Sequence, residues 1–476
     1  MSDARARRAE FGDFQTPLAL AREVCGRLAR AGFAPDVIVE PTCGVGAFLI
    51  AAAEQFPNAK TVLGFELNQA YLDTLAQELA ERGLAQRVRL EQADFFATDW
   101  AEKLRGLTGS VLVVGNFPWV TNSAQTVLGG SNLPRKSNFQ GRSGYDAISG
   151  SANFDVSEWM LLEVLRWFER GDVAMLIKTH VARKVLAQRQ VANLRSASIA
   201  KIDAKKHFHA SVEACLLTMR LQERETTLDE YTVFEDLGDQ VGERVGHRDG
   251  LTVRNLDVFE RVAHLTGQSP QKWRSGVKHD AASVMELRRG EHGLQNGQGS
   301  AIELEDEHLF PLLKGSDIGS NKAWRGMYVL VPQRRVGQET ASLEQTAPKT
   351  WAYLARHGEV LDARRSVIYS KNPRFSVFGV GDYTFRPWRI AICGLYKTLR
   401  FRLVPPIDGR PVMFDDTVYY LSFDTEEEAS DTFARLTSPP ATELLSSLIF
   451  WDDKRPIKTS VLNVLDWSRI ELDAPR

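Results

Sequence analysis

The chain has 476 residues, a mass of 53.3 kDa, 43% apolar residues and 25% charged residues. This composition is that of an ordinary globular protein and excludes a disordered or low-complexity chain. Lys and Arg number 59 against 61 Asp and Glu, which leaves a net charge of −2. That charge argues only weakly against a nucleic-acid partner, because DNA binding needs no more than a local basic surface. At about 100–200 residues per domain, the length predicts two or three domains.

The four cysteines are far apart in the sequence and form no C-x-x-C pair. This spacing disfavours a zinc site or a disulfide framework and fits a reducing compartment. The N-terminal residues are charged and lack the apolar segment of a secretory signal, and no stretch approaches the roughly 18–20 apolar residues of a membrane span. We therefore expect a cytoplasmic protein with no metal site and no membrane segment.

Helical and strand patterns alternate from residue 11 to residue 221. Thr16 and Pro17 are typical of a helix start, with Thr16 as the N-cap and Pro17 at the first helical position. Further helices are predicted at 47–56, 69–82, 157–168 and 181–194, and strands at 37–40, 61–66, 88–90, 111–114, 173–178, 199–202 and 212–221. Strands separated by helices imply βαβ crossovers, so we predict an α/β fold with a mainly parallel, doubly wound, Rossmann-like sheet.

The pattern changes after an acidic and polar stretch at 222–250, where we place a domain boundary. The predicted domains are 1–235 and 236–476, and the second is of mixed α+β type, with short strands near 328–331, 389–393, 399–404 and 418–421 and helices near 425–436 and 442–450. An irregular segment rich in Ser, Gly and Asn at 120–155 interrupts the first domain. Long irregular segments in compact domains are usually functional or disordered, and we interpret this one as a substrate-contacting loop.

A glycine-containing turn follows the first strand, in the sequence Glu40-Pro41-Thr42-Cys43-Gly44-Val45-Gly46-Ala47-Phe48. Glycines in such a turn let a ligand approach the backbone, and the N–H groups at the start of the next helix are free to meet it. The dinucleotide pattern G-x-G-x-x-G is incomplete, because Leu49 occupies the position of the third glycine, and no G-K-[ST] follows.

Acidic residues end the next two strands. Glu66, which precedes Leu67, lies about 20 positions after the glycine turn, where a carboxylate would hold the two hydroxyls of a ribose. Asp94 could accept a hydrogen bond from an adenine amino group while Phe95 packs on the ring. Each acid alone is ambiguous, but three ligand-type signals at successive strand ends favour a nucleoside-containing cofactor.

The fourth strand ends in Gly115-Asn116-Phe117-Pro118-Trp119. With this motif the chain resembles the amino-group DNA methyltransferases that use S-adenosylmethionine, whose hallmark at this strand end is [NDS]-P-P-[YFW]. The glycine turn resembles their cofactor motif, and Phe14-Gln15-Thr16-Pro17 resembles their N-terminal cofactor motif. The motif order is the gamma arrangement of TaqI-like adenine-N6 enzymes, and residues 310–318 resemble the start of their target recognition domain.

This resemblance implies methyl transfer to the N6 amino group of an adenine that has left the DNA duplex. It assigns the catalytic turn to Asn116, Phe117, Pro118 and Trp119. The amide oxygen of Asn116 and the carbonyl of Phe117 would accept hydrogen bonds from the target amine, and Trp119 would stack on the base. The implied cofactor site consists of Thr16, Pro17, Glu40, Thr42, Cys43, Gly44, Gly46, Phe48, Glu66, Leu67, Asp94 and Phe95. The chain departs from the family at Phe117, which lacks the fixed φ of proline.

Double-stranded DNA is the predicted partner. Residues 364–402 contain nine Arg and Lys and one acidic residue, a local charge of +8, with aromatic residues interleaved. From this stretch we predict DNA contacts by Arg374, Arg386 and Arg389. In the catalytic half, Phe208 resembles the second stacking aromatic of the family, and Lys178 could touch a phosphate.

Several alternatives remain open at this stage. A cytosine-N4 DNA methyltransferase would share the mechanism, and a protein-glutamine or RNA methyltransferase would share the catalytic motif. The departure at Phe117 leaves open a DNA-binding component that has lost catalysis. A restriction or phage-defence system is the expected context, with a cognate restriction endonuclease or defence-system subunit as a possible further partner. The sequence does not distinguish a monomer from a dimer.

Overall fold

The structure is a computed structural model, and it describes residues 15–119, 155–187, 193–223, 228–291 and 293–472. The chain divides into two compact units, Met1–Thr252 and Val253–Arg476. The segment predicted as a substrate loop, 120–155, lies outside the described residues except for Asp155. None of the helices in the described ranges is long and apolar enough to cross a membrane.

The first unit alternates helices and strands. Its helices are α1 Leu18–Arg30, α2 Ala47–Gln55, α3 Gln69–Glu81, α4 Trp100–Lys103, α5 Val156–Val164, α6 Thr179–Leu186 and α7 Ala204–Phe208. Its strands are β1 Val37–Glu40, β2 Thr61–Glu66, β3 Val88–Gln92, β4 Val111–Asn116, β5 Gly171–Lys178, β6 Leu194–Ile202, β7 Ala214–Leu221, β8 Glu230–Phe234, β9 Glu243–Arg248 and β10 Leu251–Val253.

In the described ranges these strands form one ten-stranded sheet, in the order β10-β9-β8-β6-β7-β5-β4-β1-β2-β3. The neighbours from β3 to β5 all pair in parallel, and β7 is antiparallel to both β5 and β6. This confirms the predicted α/β class with a parallel-dominated sheet. The strand order reverses between β1 and β4, and in open α/β sheets ligands bind beyond the carboxyl ends of the strands at such a switch point.

Helices α1 and α2 pack on the sheet through apolar side chains. Val24 and Leu28 of α1, Leu49 of α2 and Leu112 of β4 share one buried cluster. Helix α2 is buried over most of its length, since seven of its nine residues are buried. Burial of a Val or Leu side chain stabilises the fold by roughly 1.5–3 kcal/mol, so this layer holds the glycine turn between β1 and α2 in place.

Three predicted helix boundaries are wrong. The helix predicted at 157–168 is α5, which ends at Val164. Helix α1 begins at Leu18 with Pro17 at its N-cap, so Thr16 does not cap it, and no side-chain cap bond is formed. The helix predicted at 181–194 is instead α6, which ends at Leu186, and β6 begins at Leu194. The last predicted helical position, Leu194, instead pairs with Leu221 at the start of β6, and residues 188–192 lie outside the described residues.

The first unit extends beyond the predicted boundary at residue 235. Strand β8 pairs in parallel with β6, and β9 pairs antiparallel with β8, so a cut after residue 235 would separate two paired strands. The acidic composition of 222–250 suggested a linker. Part of this stretch instead forms β8 and β9 at the end of the sheet, where Glu230 forms ion pairs with Arg244 and Arg248.

The second unit is of mixed α+β type. Its helices are α8 Leu256–Val262, α9 Ala282–Met285, α10 Gly315–Gly319, α11 Leu343–Thr346, α12 Pro348–Arg356, α13 Gly358–Asp362, α14 Val367–Ser370, α15 Glu426–Thr437, α16 Pro439–Leu448 and α17 Thr459–Leu462, with 3-10 turns at Ala263–Leu265, Asp306–His308, Asp382–Phe385 and Trp467–Arg469. Its strands are β11 Arg274–Ser275, β12 Glu286–Gly290, β13 Gly293–Asn296, β14 Ala301–Ile302, β15 Leu309–Leu313, β16 Met327–Leu330, β17 Trp388–Cys393, β18 Arg402–Val404, β19 Met413–Phe414 and β20 Val418–Phe423.

Two sheets organise the described part of this second unit. One has the order β14-β13-β12-β16-β15-β19 and the other β11-β20-β17-β18. The motif at 310–318 runs along β15 into α10. The Asp317 carboxylate is buried, accepts the Lys314 N–H at 3.0 Å and pairs with Arg325 at 2.9 Å. This motif therefore fixes a strand-to-helix turn inside the unit.

We expect Gly46→Ala to destabilise the first unit more than Gly83→Ala. Both glycines have positive φ, +83° and +70°, so both substitutions carry a backbone strain of about 1–2 kcal/mol. A Cβ at position 46 would also overlap the fully buried Leu75 side chain, whereas a Cβ at position 83 meets nothing within 4 Å. Overpacking should add about 1–3 kcal/mol at position 46.

Urea unfolding of both variants measures this difference directly. Leu75 belongs to α3. Equal losses of unfolding free energy would show that the Leu75 side chain moves aside for the new Cβ, and would contradict a tight contact between α3 and the glycine turn.

Candidate active site

Three polar residues predicted from the sequence lie at the carboxyl ends of neighbouring strands. Glu40 ends β1, Glu66 ends β2 and Asn116 ends β4. Strands β1 and β4 pair side by side, and a Cβ on Gly115 would stand 3.4 Å from a carboxylate oxygen of Glu40. The structure therefore brings the predicted cofactor turn and the predicted catalytic turn together at the switch point of the sheet.

Backbone hydrogen bonds fix the glycine turn. The Cys43 N–H donates to the Phe65 carbonyl at 2.8 Å, and the Gly46 N–H donates to the Cys43 carbonyl at 2.7 Å. Gly44, with φ +51°, donates its N–H to a carboxylate oxygen of Glu66 at 2.9 Å. Gln15 covers the turn from the N-terminal side, where its side-chain oxygen accepts the Val45 N–H at 3.1 Å. Glu66 at the end of β2 and Gln15 of the N-terminal motif thus hold the glycine turn.

Glu66 and Leu67 face the edge of the site. The second oxygen of Glu66 accepts the Asn68 N–H at 2.9 Å, which fixes the carboxylate next to Gly44. Leu67 is 48% exposed, an unusual exposure for a leucine directly after a central strand. An exposed apolar side chain beside a fixed carboxylate is the combination that an adenosine needs, with a packing surface next to an acceptor for hydroxyls.

Glu40 is a buried carboxyl at the end of β1. Its oxygen accepts the Leu49 N–H in helix α2 at 3.1 Å. Burial raises the pKa of Glu40 well above its usual value near 4.5, the Leu49 N–H opposes that shift, and the nearby Glu66 adds to it. Glu40 therefore connects the end of β1 to the first turns of α2 and stabilises the site as a hydrogen-bond acceptor.

Asp94 lies in the turn after β3, and its side chain accepts the Phe96 N–H at 2.9 Å. The neighbouring Phe95 is buried and belongs to a group of rings that we call the aromatic cluster: Phe65, Phe95, Phe96, Trp100, Phe117, Trp159 and Trp167. The aromatic cluster fixes the turn that carries Asp94, because the Trp100 indole N–H donates to the Phe95 carbonyl at 2.9 Å.

The catalytic turn directs its two aromatic side chains to different partners. The ring of Phe117 is fully buried and meets Phe95 edge to face at 5.8 Å. The ring of Trp119 meets Phe208 at 4.9 Å with an interplanar angle of 66°. The structure thus brings together Trp119 and Phe208, the two residues predicted to stack on a base, although they lie almost 90 positions apart in the sequence.

The remaining predicted cofactor residues divide into two groups. Phe48 and Cys43 are buried in the core, and desolvation raises the pKa of the Cys43 thiol. Both side chains therefore pack on the core side of the turn. Thr16 and Pro17 are partly exposed at the start of α1. Thr42 lies on the turn itself, and its buried hydroxyl oxygen has no hydrogen-bond partner among the described residues. An orphaned hydroxyl in this turn fits a ligand that would complete it.

Lys178 does not lie where a phosphate contact would need it. Its ammonium forms an ion pair with Asp155 at 2.6 Å, and the two side chains are 11% and 4% exposed. Asp155 also caps α5 by accepting the Ser157 N–H. A buried lysine beside a carboxylate is already neutralised, so this pair joins β5 to α5 and leaves no free cation for DNA.

Three of the nine basic residues at 364–402 are structural. Arg389 is fully buried and donates to the Thr384 carbonyl at 2.7 Å, and burial lowers the pKa of Arg389 to about 10. Arg364 donates to the Ser376 carbonyl at 2.8 Å, and Arg402 donates to the Lys322 carbonyl at 2.8 Å. The predicted DNA contact by Arg389 is therefore wrong, because a side chain inside the sheet cannot reach a phosphate.

The other six basic residues form the exposed set: Arg365, Lys371, Arg374, Arg386, Lys397 and Arg400. Arg374 pairs with Asp362 at 2.7 Å and Arg386 with Asp424 at 3.6 Å, in both cases with half-exposed side chains. Surface pairs of this kind contribute about 0–1 kcal/mol, so each arginine can exchange its carboxylate for a phosphate at small cost.

Sequence reasoning missed the roles of three sets of supporting residues. Gln15 was recognised only as part of a motif, and its bond to the glycine turn requires the folded N-terminal segment. Asp155 is the last residue of the irregular segment and gave no signal, although it neutralises Lys178. The tryptophans of the aromatic cluster could have been suspected from their number, since three of them lie between residues 100 and 167.

We expect the stability gained by Glu40→Gln to grow as the pH rises. With a raised pKa, folded Glu40 keeps a proton that the unfolded chain loses above about pH 4.5, so Glu40 destabilises the fold increasingly at higher pH. Glutamine keeps the acceptor and never ionises. The difference between variant and parent should grow by up to about 1.4 kcal/mol per pH unit until Glu40 itself ionises. Unfolding curves from pH 5 to pH 8 measure it.

Glu54→Gln is the matched control with the opposite sign. In the parent protein, the hydrogen bond from Arg22 lowers the pKa of Glu54. Glu54 therefore stabilises the fold above about pH 4.5 and loses that effect as the pH falls. This control should therefore be slightly less stable than the parent at neutral pH. A pH-independent difference for Glu40→Gln would contradict the buried carboxyl.

Comparison with known proteins shows the family to which the chain belongs. No protein-family model matches the sequence. The chain is 45% identical over 467 residues to the type II methyltransferase M.NspV of Nostoc sp. (strain ATCC 29411 / PCC 7524), and the match covers 96% of each protein. A shorter match of 110 residues, at 34% identity, links 23% of the chain to 20% of the type II methyltransferase M.XamI of Xanthomonas campestris pv. amaranthicola.

A solved structure supports the fold. The type IIL restriction-modification enzyme MmeI, determined in complex with DNA, aligns with a TM-score of 0.53 and 11% identity over 97% of this chain and 66% of the MmeI chain. At this identity the likeness concerns the fold, whereas the near-complete match to M.NspV concerns the family. The chain therefore belongs to the type II methyltransferases, the S-adenosylmethionine-dependent DNA methyltransferases of restriction–modification systems.

Proposed function

We propose that this protein methylates the N6 amino group of adenine within a specific DNA sequence and so protects that sequence from a cognate restriction endonuclease. One observation carries the proposal. Asn116 lies at the end of β4, directly beside the glycine turn and Glu40 at the switch point of the sheet. A hydrogen-bonding side chain at that position lies next to the cofactor turn, where an amine must be held for methyl transfer.

The chemistry requires two acceptors. The exocyclic amine of adenine is a weak nucleophile, because its lone pair is delocalised into the ring. The side-chain oxygen of Asn116 and the carbonyl of Phe117 would accept its two N–H groups, favour a pyramidal nitrogen and stabilise the positive charge that grows on it. S-adenosylmethionine, when bound, supplies an electrophilic methyl group. No acid or base side chain has to ionise in this scheme.

The residues around the glycine turn fit this cofactor. We assign the ribose to Glu66, the adenine to the exposed Leu67 and to Asp94, and the amino-acid end to the glycine turn with the Thr42 hydroxyl. The Glu66 carboxylate is already fixed by two backbone N–H groups, which leaves lone pairs for further donors. Phe48 and Phe95 are buried, and we assign them to the core packing beneath the turns that would contact the cofactor.

We propose that Trp119 and Phe208 receive the base after it leaves the duplex. Their rings are in edge contact at 4.9 Å, which leaves no room for a base between them. Stacking of a base on one ring would require the pair to open, and the base would replace their mutual contact. A stacked base is worth about 1–3 kcal/mol, compared with about 0.5–1.5 kcal/mol for an aromatic pair.

We assign DNA target recognition to the second unit. Its exposed set supplies six cations, and in the described residues two of them, Arg374 and Arg386, form ion pairs with surface carboxylates. Their aromatic neighbours in 364–402 are all buried or half-buried, so they support the fold of this region and do not form a stacking surface. Phosphate contact is therefore the role that this surface supports.

The decisive experiment incubates the full-length protein with duplex DNA and labelled S-adenosylmethionine and identifies the modified nucleoside. We expect N6-methyladenine in the parent protein. For Asn116→Ala we expect turnover to fall by about a hundredfold or more, because a transition-state acceptor is lost. DNA affinity should be retained, since Asn116 does not belong to the basic surface.

Each alternative predicts a different result. N4-methylcytosine would assign the same machinery to cytosine. DNA binding without methyl transfer would indicate a binding component that has lost catalysis, and unchanged turnover of Asn116→Ala would remove Asn116 from the mechanism. Asn68→Ala is a suitable control, since the Asn68 side chain caps α3 by accepting the Ala70 N–H at 3.0 Å.

For Arg374→Ala and Arg386→Ala we expect weaker DNA binding and a shallower salt dependence. Loss of one phosphate contact should reduce the slope of log K against log salt by about 0.9. Arg105→Ala is the matched control, because Arg105 is an exposed arginine paired with Glu102 at 2.6 Å outside the basic stretch. Titrations at several salt concentrations measure the slopes. Slopes equal to that of the parent for both variants would exclude phosphate contact by these side chains.

A further inference from the structure

Phe117 stands where the resemblance predicts proline, and its side chain is fully buried. It is among the largest side chains in the described residues with almost no exposure. Its ring meets Phe95 edge to face, with centroids 5.8 Å apart and an interplanar angle of 74°. The catalytic turn is therefore attached to the core through the very residue that departs from the family pattern.

The aromatic cluster behind Phe117 is joined by several ring contacts. Phe95 also contacts Trp100 at 5.4 Å and Trp167 at 5.7 Å, and these two indoles stack on each other at 4.6 Å. The Trp100 N–H holds the Phe95 backbone through its carbonyl. A ring that packs against this group has little freedom to rotate, because close-packed interiors leave no space for a large side chain to move.

Two restraints act on the backbone of Phe117. The following Pro118 restricts Phe117 to extended conformations, since proline clashes with an α conformation in the residue before it. The φ angle lacks the fixed value that a proline ring would give. The buried ring replaces that restraint. Rotation about φ carries the Cβ and the carbonyl carbon together, so it would have to pull the packed ring out of its contacts.

We infer that Phe117 is a positioning residue that acts through its ring, and that packing of this ring against Phe95 sets the direction of the Phe117 carbonyl. This inference rests on the proposed function and adds a positioning element to it. Phe95 follows Asp94 in the turn after β3, so the same contact connects the adenine end of the proposed cofactor site to the acceptor of the target amine.

The test compares Phe117→Leu with Phe56→Leu in the full-length protein. Phe56 is a buried phenylalanine of the same unit, at the end of α2, outside the aromatic cluster. Both variants should lose thermal stability. Only Phe117→Leu should lose kcat, by about tenfold at saturating DNA and S-adenosylmethionine, with KM for both substrates within about twofold of the parent, because small misplacements of reacting groups slow chemistry more than binding.

A second comparison uses Phe95→Leu, alone and combined with Phe117→Leu. If the ring contact sets the carbonyl, the second substitution should lower kcat much less in the presence of the first than it does alone. Independent, multiplicative losses of kcat would contradict the inference, as would a Phe117→Leu variant with parental kcat and a lowered melting temperature.

The outcomes separate this inference from the proposed function. A parent protein that transfers no methyl group to DNA would overturn the proposed function and the role of the ring together. An active parent, with a Phe117→Leu variant of unchanged kcat, would overturn the role of the ring alone. An active parent that modifies cytosine, with coupled losses at Phe95 and Phe117, would support the ring contact, since both target amines need the same carbonyl.

Discussion

The reversal of strand order between β1 and β4 is the constraint on which the rest of the site depends. Because these two strands are neighbours that continue into turns at the same edge, Glu40 and Asn116 have to end up side by side. The packing of α2 on the sheet restricts the path of the glycine turn. The hydrogen bonds that the turn donates to Glu66 and Gln15 fix it in that path. Loss of this packing would affect every residue assigned to the cofactor.

The sequence located the strand ends that carry the proposed site, because these are short segments with a clear pattern. The glycine turn, Glu66 and Asn116 could be located because each follows an apolar strand, and the topology of parallel sheets brings such ends together. It failed where the role of a side chain depends on distant partners. From the sequence, Arg389 and Lys178 were expected to contact DNA. Arg389, on β17, is instead fully buried, and Lys178 is neutralised by Asp155.

The boundary between the units shows the same limitation. Composition describes how polar a segment is, and it does not show whether its backbone is paired. Residues 230–234 and 243–248 of this polar stretch form β8 and β9 at the end of the sheet, where Glu230 pairs with both Arg244 and Arg248. The near-zero net charge of the whole chain likewise hides a basic stretch of 39 residues, of which six side chains are exposed.

Strand β8 covers the outer side of β6, and this has a practical consequence for dissecting the protein. Strand β6 is nine residues long and pairs with β7 on one side and β8 on the other. A catalytic fragment that stops before β8 would leave one edge of β6 with unpaired N–H and C=O groups. Open edges of this kind invite pairing with a second chain and aggregation. A separable catalytic unit therefore has to include β8 and β9, and ends near residue 252.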